Sequence, residues 1–224
     1  MIRNQAVKLV LLDLDGTLAD TAPDLAAAAN RMRASRGVAP LPAADLRPFV
    51  SQGARGMVAK AFNVSPDDPQ YDALRNEFLH EYESELCAES ALFPGMDDTL
   101  RQLEEFGIKW GIVTNKLARF TVPLVDALHL SDRAVCIVSG DTTPFSKPHP
   151  APLLHALSTA QVDAPSALYV GDDRRDIDAG RAAGLRTVVA SYGYLGDGLP
   201  YEQWGADHVI NSPRELLALV DLAG

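Results

Sequence analysis

The chain has 224 residues, 47% hydrophobic and 22% charged, a globular composition with enough length to bury a sizeable core. Its 30 acidic and 20 basic residues give a net charge of −10, which argues against a broad nucleic-acid surface and against binding to anionic membranes. Cys87 and Cys136 form no spacing motif and read as reduced thiols, excluding a disulfide framework or a cysteine metal site.

Residues 1–5 lead straight into an apolar run, leaving no room for a cleavable signal peptide. No apolar stretch reaches membrane-spanning length, and a cytoplasmic location is expected. Residues 7–12 read as a strand buried on both faces of a parallel sheet. The run ends in Asp13-Leu14-Asp15-Gly16-Thr17. If the extended geometry persists, Asp13 and Asp15 share one side. Gly16 permits a tight turn and close approach to a ligand. The same residues also suit a solvated Asp-Gly turn.

Residues 20–88 read as helices without a clear strand. Asp20 and Thr21 are cap candidates for a first helix, with Pro23 in its first turn and Gly37 at its stop. Short helices are expected over 43–50 and 54–62. Ser65-Pro66-Asp67-Asp68 resembles a capping box, and behind it Tyr71, Leu74, Phe78, Tyr82 and Leu86 recur at helical spacing as core packing.

From Phe93 strands and helices alternate. Strands are expected over 108–113, 134–138, 167–170, 187–190 and 208–210. Helices run from Met96 to Gly107, through Phe120, Leu124 and Leu128, onward from Lys147-Pro148, over 176–183 and over 213–222. The alternation predicts an α/β fold, a doubly wound parallel sheet with helices on both faces, interrupted by a small inserted helical cap. Residues 1–19 and 89–224 would form the core and 20–88 the cap.

In such a sheet, ligands bind beyond the carboxyl ends of the strands. That rule gathers Asp13, Asp15, Thr114, Asn115, Lys147, Asp172, Asp173 and Asp176 into one crevice. So many carboxylates repel one another unless a cation neutralises them. An all-oxygen set suits Mg²⁺ better than zinc, and no histidine or cysteine cluster competes. Thr114, Asn115, Lys147 and backbone N–H groups near Gly16 supply donors for phosphoryl oxygens.

Asp13-x-Asp15-Gly16-Thr17, Thr114-Asn115, Lys147-Pro148 and Gly171-Asp172-Asp173 stand in the order of four signatures and resemble the haloacid dehalogenase superfamily of phosphohydrolases. The resemblance implies that Asp13 is the nucleophile and Asp15 the general acid, then base. It implies that Thr114 and Lys147 hold phosphate, with Asn115 adding a donor. Asp172 would bind Mg²⁺ beside Asp13 and the backbone carbonyl of Asp15, with Asp173 and Asp176 orienting the metal or the lysine. An aspartate at position 15 implies phosphate-ester chemistry. The chemistry is coherent, because phosphoryl transfer depends mainly on positioning and cations.

The helical insert is similar to the cap of subclass I members, a lid that excludes water and selects the leaving group. Arg55, in Ser51-Gln52-Gly53-Ala54-Arg55-Gly56, either meets a substrate carboxylate bidentately or is a solvated helix arginine. Lys116 has the same alternatives, and packing against the lid as a third. Thr114-Asn115-Lys116, the stretch 146–150, the stretch 170–177 and Tyr192-Gly193-Tyr194 resemble phosphoglycolate phosphatases. With Gly53-Ala54-Arg55 they also resemble phosphatases of N-acetylmuramic acid 6-phosphate. Asp173 departs from the serine common at that place. Arg55 favours 2-phosphoglycolate. The alternatives are N-acetylmuramic acid 6-phosphate, a β-phosphoglucomutase-like transfer, and a phosphate-binding relative without turnover. The expected partner is a small phosphorylated metabolite, with monomer and homodimer both open.

Overall fold

A computed structural model describes residues 6–196 and 198–221. The leader expectation at 1–5 and Leu222, the end of the last predicted helix, lie outside them. The strands are β1 (Leu9–Leu12), β2 (Ala19–Asp20), β3 (Ala91–Leu92), β4 (Lys109–Val113), β5 (Ile137–Val138), β6 (Ala167–Gly171), β7 (Arg186–Ala190) and β8 (His208–Ile210). The helices are α1 (Ala22–Ser35), α2 (Ala43–Leu46), α3 (Gly53–Phe62), α4 (Tyr71–Ser84), α5 (Met96–Glu105), α6 (Ala118–Ala127), α7 (Ala151–Ala160), α8 (Arg174–Ala182) and α9 (Leu216–Asp221).

Six strands form one parallel sheet in the order β5-β4-β1-β6-β7-β8. Alternation along β1 explains why both faces are covered. Val10 and Leu12 enter a core with Leu100 and Leu103 of α5 and Leu216 of α9. Leu9 and Leu11 enter another with Leu153 and Leu157 of α7 and Ala179 of α8. Leu12 is in register with Ile112 on one side and Val170 on the other. Asp13, Thr114 and Asp172 therefore emerge together from the carboxyl ends of β1, β4 and β6, where an open α/β sheet binds ligands.

Helices α1–α4 bury Leu25, Met32, Leu46, Met57, Phe78 and Tyr82 between them. The expectation that this stretch lacks a strand is corrected at its ends. β2 pairs antiparallel with β3, through Ala19 with Leu92 and Asp20 with Ala91. Two residues a side are too few to show an alternating pattern, so the pairing left no local signal. A second tie lies beside it: the buried Asp24 accepts from the backbone N–H groups of Glu89 and Ser90 and from Ser90 Oγ, at 2.9, 2.8 and 2.6 Å.

Ser65-Pro66-Asp67-Asp68 forms a turn rather than a capping box; α4 starts only at Tyr71, after Gln70, with no side-chain cap. The segment opened by Lys147-Pro148, a cis peptide bond, becomes helical only at Ala151. α8 begins two residues earlier than expected because Asp173 caps it. Among the described residues no helix is long and apolar enough to cross a membrane.

Candidate active site

Lys147 is the centre of the crevice. It is 4% exposed, and its Nζ lies 2.9 Å from Asp13 Oδ1 and 2.7 Å from Asp176 Oδ1. It also donates to the Val113 carbonyl at 3.0 Å and to Tyr169 Oη at 2.8 Å. Burial works against the ammonium, but Asp13 and Asp176 outweigh it and hold Lys147 above the ordinary lysine range. Asp176 is fully engaged: Oδ1 also accepts from Tyr169 Oη at 3.0 Å, and Oδ2 accepts from the Asp173 N–H at 3.0 Å.

Asp13 sits one residue past β1, with its N–H on the Val170 carbonyl and its Oδ1 accepting from the Leu14 N–H at 2.8 Å. Burial pushes its carboxyl up to about 7, with Asp176 and Asp15 adding to the rise and Lys147 opposing it. Asp172, 1% exposed, accepts from Thr17 Oγ1 at 2.9 Å and from the Tyr194 N–H at 2.8 Å. Burial, then the neighbouring Asp13 and Asp176, raise it well above the carboxylate range despite those bonds.

Among the described residues, Asp13, Asp172 and Asp176 bring one carboxylate oxygen each within 4.8 Å of one another. One lysine cannot neutralise three such groups. All-oxygen donors in this crowding fit a hard divalent cation. Asp176 is committed to Lys147, Tyr169 and the Asp173 backbone, which leaves Asp13 and Asp172 as the better ligands. The Asp15 side chain is turned elsewhere, towards Thr21 and Lys116.

The chain turns after Leu12, so the extended geometry that would set Asp13 and Asp15 alongside does not persist. Both still line the same cavity. Asp15 Oδ1 accepts from Thr21 Oγ1 at 2.5 Å and from Lys116 Nζ at 2.8 Å. Both bonds fall on Oδ1. The Lys116 ammonium also lies 4.8 Å from the centre of the Tyr82 ring of α4. Burial opposes its charge, yet Asp15 and Tyr82 raise its pKa above the ordinary lysine range. Lys116 thus touches both Asp15 of the core and Tyr82 of the helical insert, and it lines the same cavity.

Two of the expected phosphate donors are engaged within the protein. The Gly16 N–H donates to the Ala19 carbonyl at 3.0 Å. Glycine is required there because φ is +85° and a Cβ would collide with the Asp172 carboxylate and the Tyr194 ring. The Asn115 carboxamide pairs with the backbone of Lys147, donating to its carbonyl and accepting from its N–H, both at 2.9 Å. Its side chain positions the lysine instead of reaching a phosphate. Thr114 is buried, and its Oγ1 accepts from the Lys116 N–H at 3.1 Å.

A cavity of about 360 Å³ extends from these groups to the helical insert. Leu25, Phe78, Leu79 and Phe120 give it an apolar wall, and the exposed guanidinium groups of Arg55 and Arg75 line it too. Arg75 escaped the sequence reading. Its spacing to Leu79, four residues on along α4, is the signal that places it on this face. Tyr194 of the Tyr192-Gly193-Tyr194 stretch has a role that its sequence does not announce: its Oη accepts from the N–H groups of Thr21 and Ala22 at 2.8 and 3.0 Å and so caps α1.

Comparison with known proteins matches residues 10–190 to the haloacid dehalogenase-like hydrolase family. The chain belongs to that family. N-acetylmuramic acid 6-phosphate phosphatase of Pseudomonas aeruginosa is 41% identical over 222 residues, covering 99% of this chain and 98% of that one. Phosphoglycolate phosphatase of Xanthomonas campestris is 44% identical over 210 residues, covering 93% and 94%. The crystal structure of a predicted phosphoglycolate phosphatase from Haemophilus somnus superposes with a TM-score of 0.83 at 26% identity, covering 95% and 97%. With these relatives the chain is a phosphoric monoester hydrolase of the family, acting on phosphorylated small molecules.

Proposed function

We propose that this phosphatase hydrolyses a carboxylated phosphate ester of monosaccharide size, in two steps, with Asp13 as nucleophile. The observation that carries the reading is Lys147, held between Asp13 and Asp176 at one end of a cavity whose other end carries the exposed Arg55 and Arg75. In the first step Asp13 attacks phosphorus, the ester P–O bond breaks, and Asp15 protonates the departing alkoxide. In the second, water attacks the aspartyl phosphate, Asp15 takes its proton, and phosphate leaves with Asp13 restored. Lys147 and Thr114 hold the phosphoryl oxygens, while Asn115 fixes the lysine backbone. Asp13, Asp172 and the Asp15 carbonyl would hold Mg²⁺, which lets an anionic carboxylate approach an anionic phosphate. Residues 20–88 act as the cap over the core of 1–19 and 89–224, excluding water and selecting the alcohol.

The size of the cavity supports the larger ester. At about 360 Å³ it falls within the range of about 300–1,000 Å³ that encloses whole organic ligands. A two-carbon acid would occupy little of it. N-acetylmuramic acid 6-phosphate brings a sugar ring, an acyl methyl and a carboxylate, which match the apolar wall, Arg55 and Arg75. 2-Phosphoglycolate, favoured from Arg55 alone, is the second reading, because the same arginines would meet its carboxylate and a relative 44% identical bears that name.

The test compares kcat/KM on N-acetylmuramic acid 6-phosphate, 2-phosphoglycolate and β-glucose 1-phosphate, with free phosphate measured as product. The highest value on the amino-sugar ester is expected. Preference for 2-phosphoglycolate would reverse the order, and phosphoryl transfer without net phosphate would replace hydrolysis by a mutase reaction.

A further inference from the structure

Asp173 stands where serine is common in the fourth signature, and neither hydrolytic step uses it. Its carboxylate receives Arg175 Nε at 2.8 Å and Arg175 Nη2 at 2.9 Å, besides accepting from the Arg175 N–H at 2.8 Å. Held in this fork, Arg175 Nη2 also donates to the Ser51 carbonyl at 2.5 Å, across 124 positions of sequence. Ser51 belongs to the 3₁₀ turn Arg47–Gln52 that enters α3, and it lines the cavity. Its Oγ is buried and has no hydrogen-bond partner among the described residues. The bond from Arg175 uses only the backbone carbonyl, which alanine would supply equally. A buried hydroxyl without a partner is costly; Ser51 lines the cavity, and a ligand oxygen that reaches Oγ as the insert settles on a substrate would complete it.

We propose that Ser51 Oγ is a substrate-binding hydroxyl for a polar oxygen of the leaving alcohol, placed over the site by the Asp173–Arg175 pair. The inference rests on the reading of 20–88 as a cap that meets the leaving group. Asp173 also donates its N–H to Asp176, which holds Lys147. One short segment thus fixes both the phosphate side and the alcohol side of the cavity. Asp173 and Arg175 are positioning residues; Ser51 is the contact.

The test uses the best substrate of the phosphate panel, whichever ester that is, so rejection of the amino-sugar reading leaves it intact. Phenyl phosphate, whose leaving group offers no further acceptor, is the reference. Ser51→Ala is expected to raise KM for the best substrate about tenfold more than for phenyl phosphate. Its Tm should be equal to wild type or higher, since an orphan hydroxyl is removed. Equal losses on both substrates, unchanged kinetics, or a lowered Tm would overturn the assignment. Asp173→Asn keeps an N-cap acceptor for α8 and removes the charge that aligns Arg175. It is expected to speed amide hydrogen exchange severalfold at 51–55, leave α4 exchange unchanged, and shift KM in the same direction as Ser51→Ala. Wild-type exchange at 51–55 would refute the positioning role of the pair.

Discussion

Asp13→Asn should kill the enzyme and, without metal, stabilise it. Burial pushes the Asp13 carboxyl up to about 7, from 3.8 in the unfolded chain. The folded state therefore binds the proton more tightly. Below about pH 4 the group costs nothing; as pH rises from about 4 to about 7 stability is progressively lost, and above that the loss is constant. That gap corresponds to roughly 4 kcal/mol at full ionisation. Asparagine keeps the shape and an oxygen that can accept from Lys147, and it never ionises; what it gives up is the charge opposite Lys147, which Asp176 still pairs. In EDTA at pH 8 the variant should exceed wild type by about 2–4 kcal/mol in urea unfolding, and the excess should shrink towards pH 5. Excess Mg²⁺ should narrow it too, by stabilising wild type more. A variant less stable than wild type at pH 8 in EDTA would refute the reasoning. Asp13 would then be chiefly the structural partner of Lys147.

Lys147→Met strands Asp13 and Asp176 without a counter-charge and should cost about 3–5 kcal/mol at pH 8, less at pH 5.5 where Asp13 holds its proton, with phosphate release abolished; a stable, active variant would contradict the site. Chelation should silence phosphate release and Mg²⁺ restore it, whereas activity surviving exhaustive EDTA treatment would remove the divalent cation from the account. Arg55→Ala should raise KM about tenfold for a carboxylated ester, the worth of roughly 1.4 kcal/mol, and much less for p-nitrophenyl phosphate; equal effects on the two would end the case for carboxylate recognition.

What could be read from the sequence was what a local pattern carries. The apolar run before Asp13 announces a buried strand, and each later strand does the same before Thr114 and before Asp172. The topology rule then brings those ends together without any knowledge of distances. What escaped depends on partners far apart in the chain. Nothing near Tyr194 says that its hydroxyl caps α1, 172 and 173 positions away. Asn115 looked like a free donor because its partner, the Lys147 backbone, lies 32 residues on. Asp173 looked like an ornament of the metal site, although Asp173 and Asp176, three apart at the head of α8, have the spacing of a capping box. The two-residue pairing of β2 with β3 is set by the convergence of the insert's ends, and Ala-Asp opposite Ala-Leu has no strand preference of its own.

The central claim is that Asp13 becomes phosphorylated during turnover. Acid quenching of the enzyme with its best substrate, reduction with borohydride and peptide mass spectrometry would read this directly, since an acyl phosphate is reduced to homoserine at the residue that carried it. Substrate-dependent conversion of Asp13, absent in wild type without substrate, is the expected result. Conversion at another carboxylate, or steady hydrolysis by Asp13→Asn, would contradict the account.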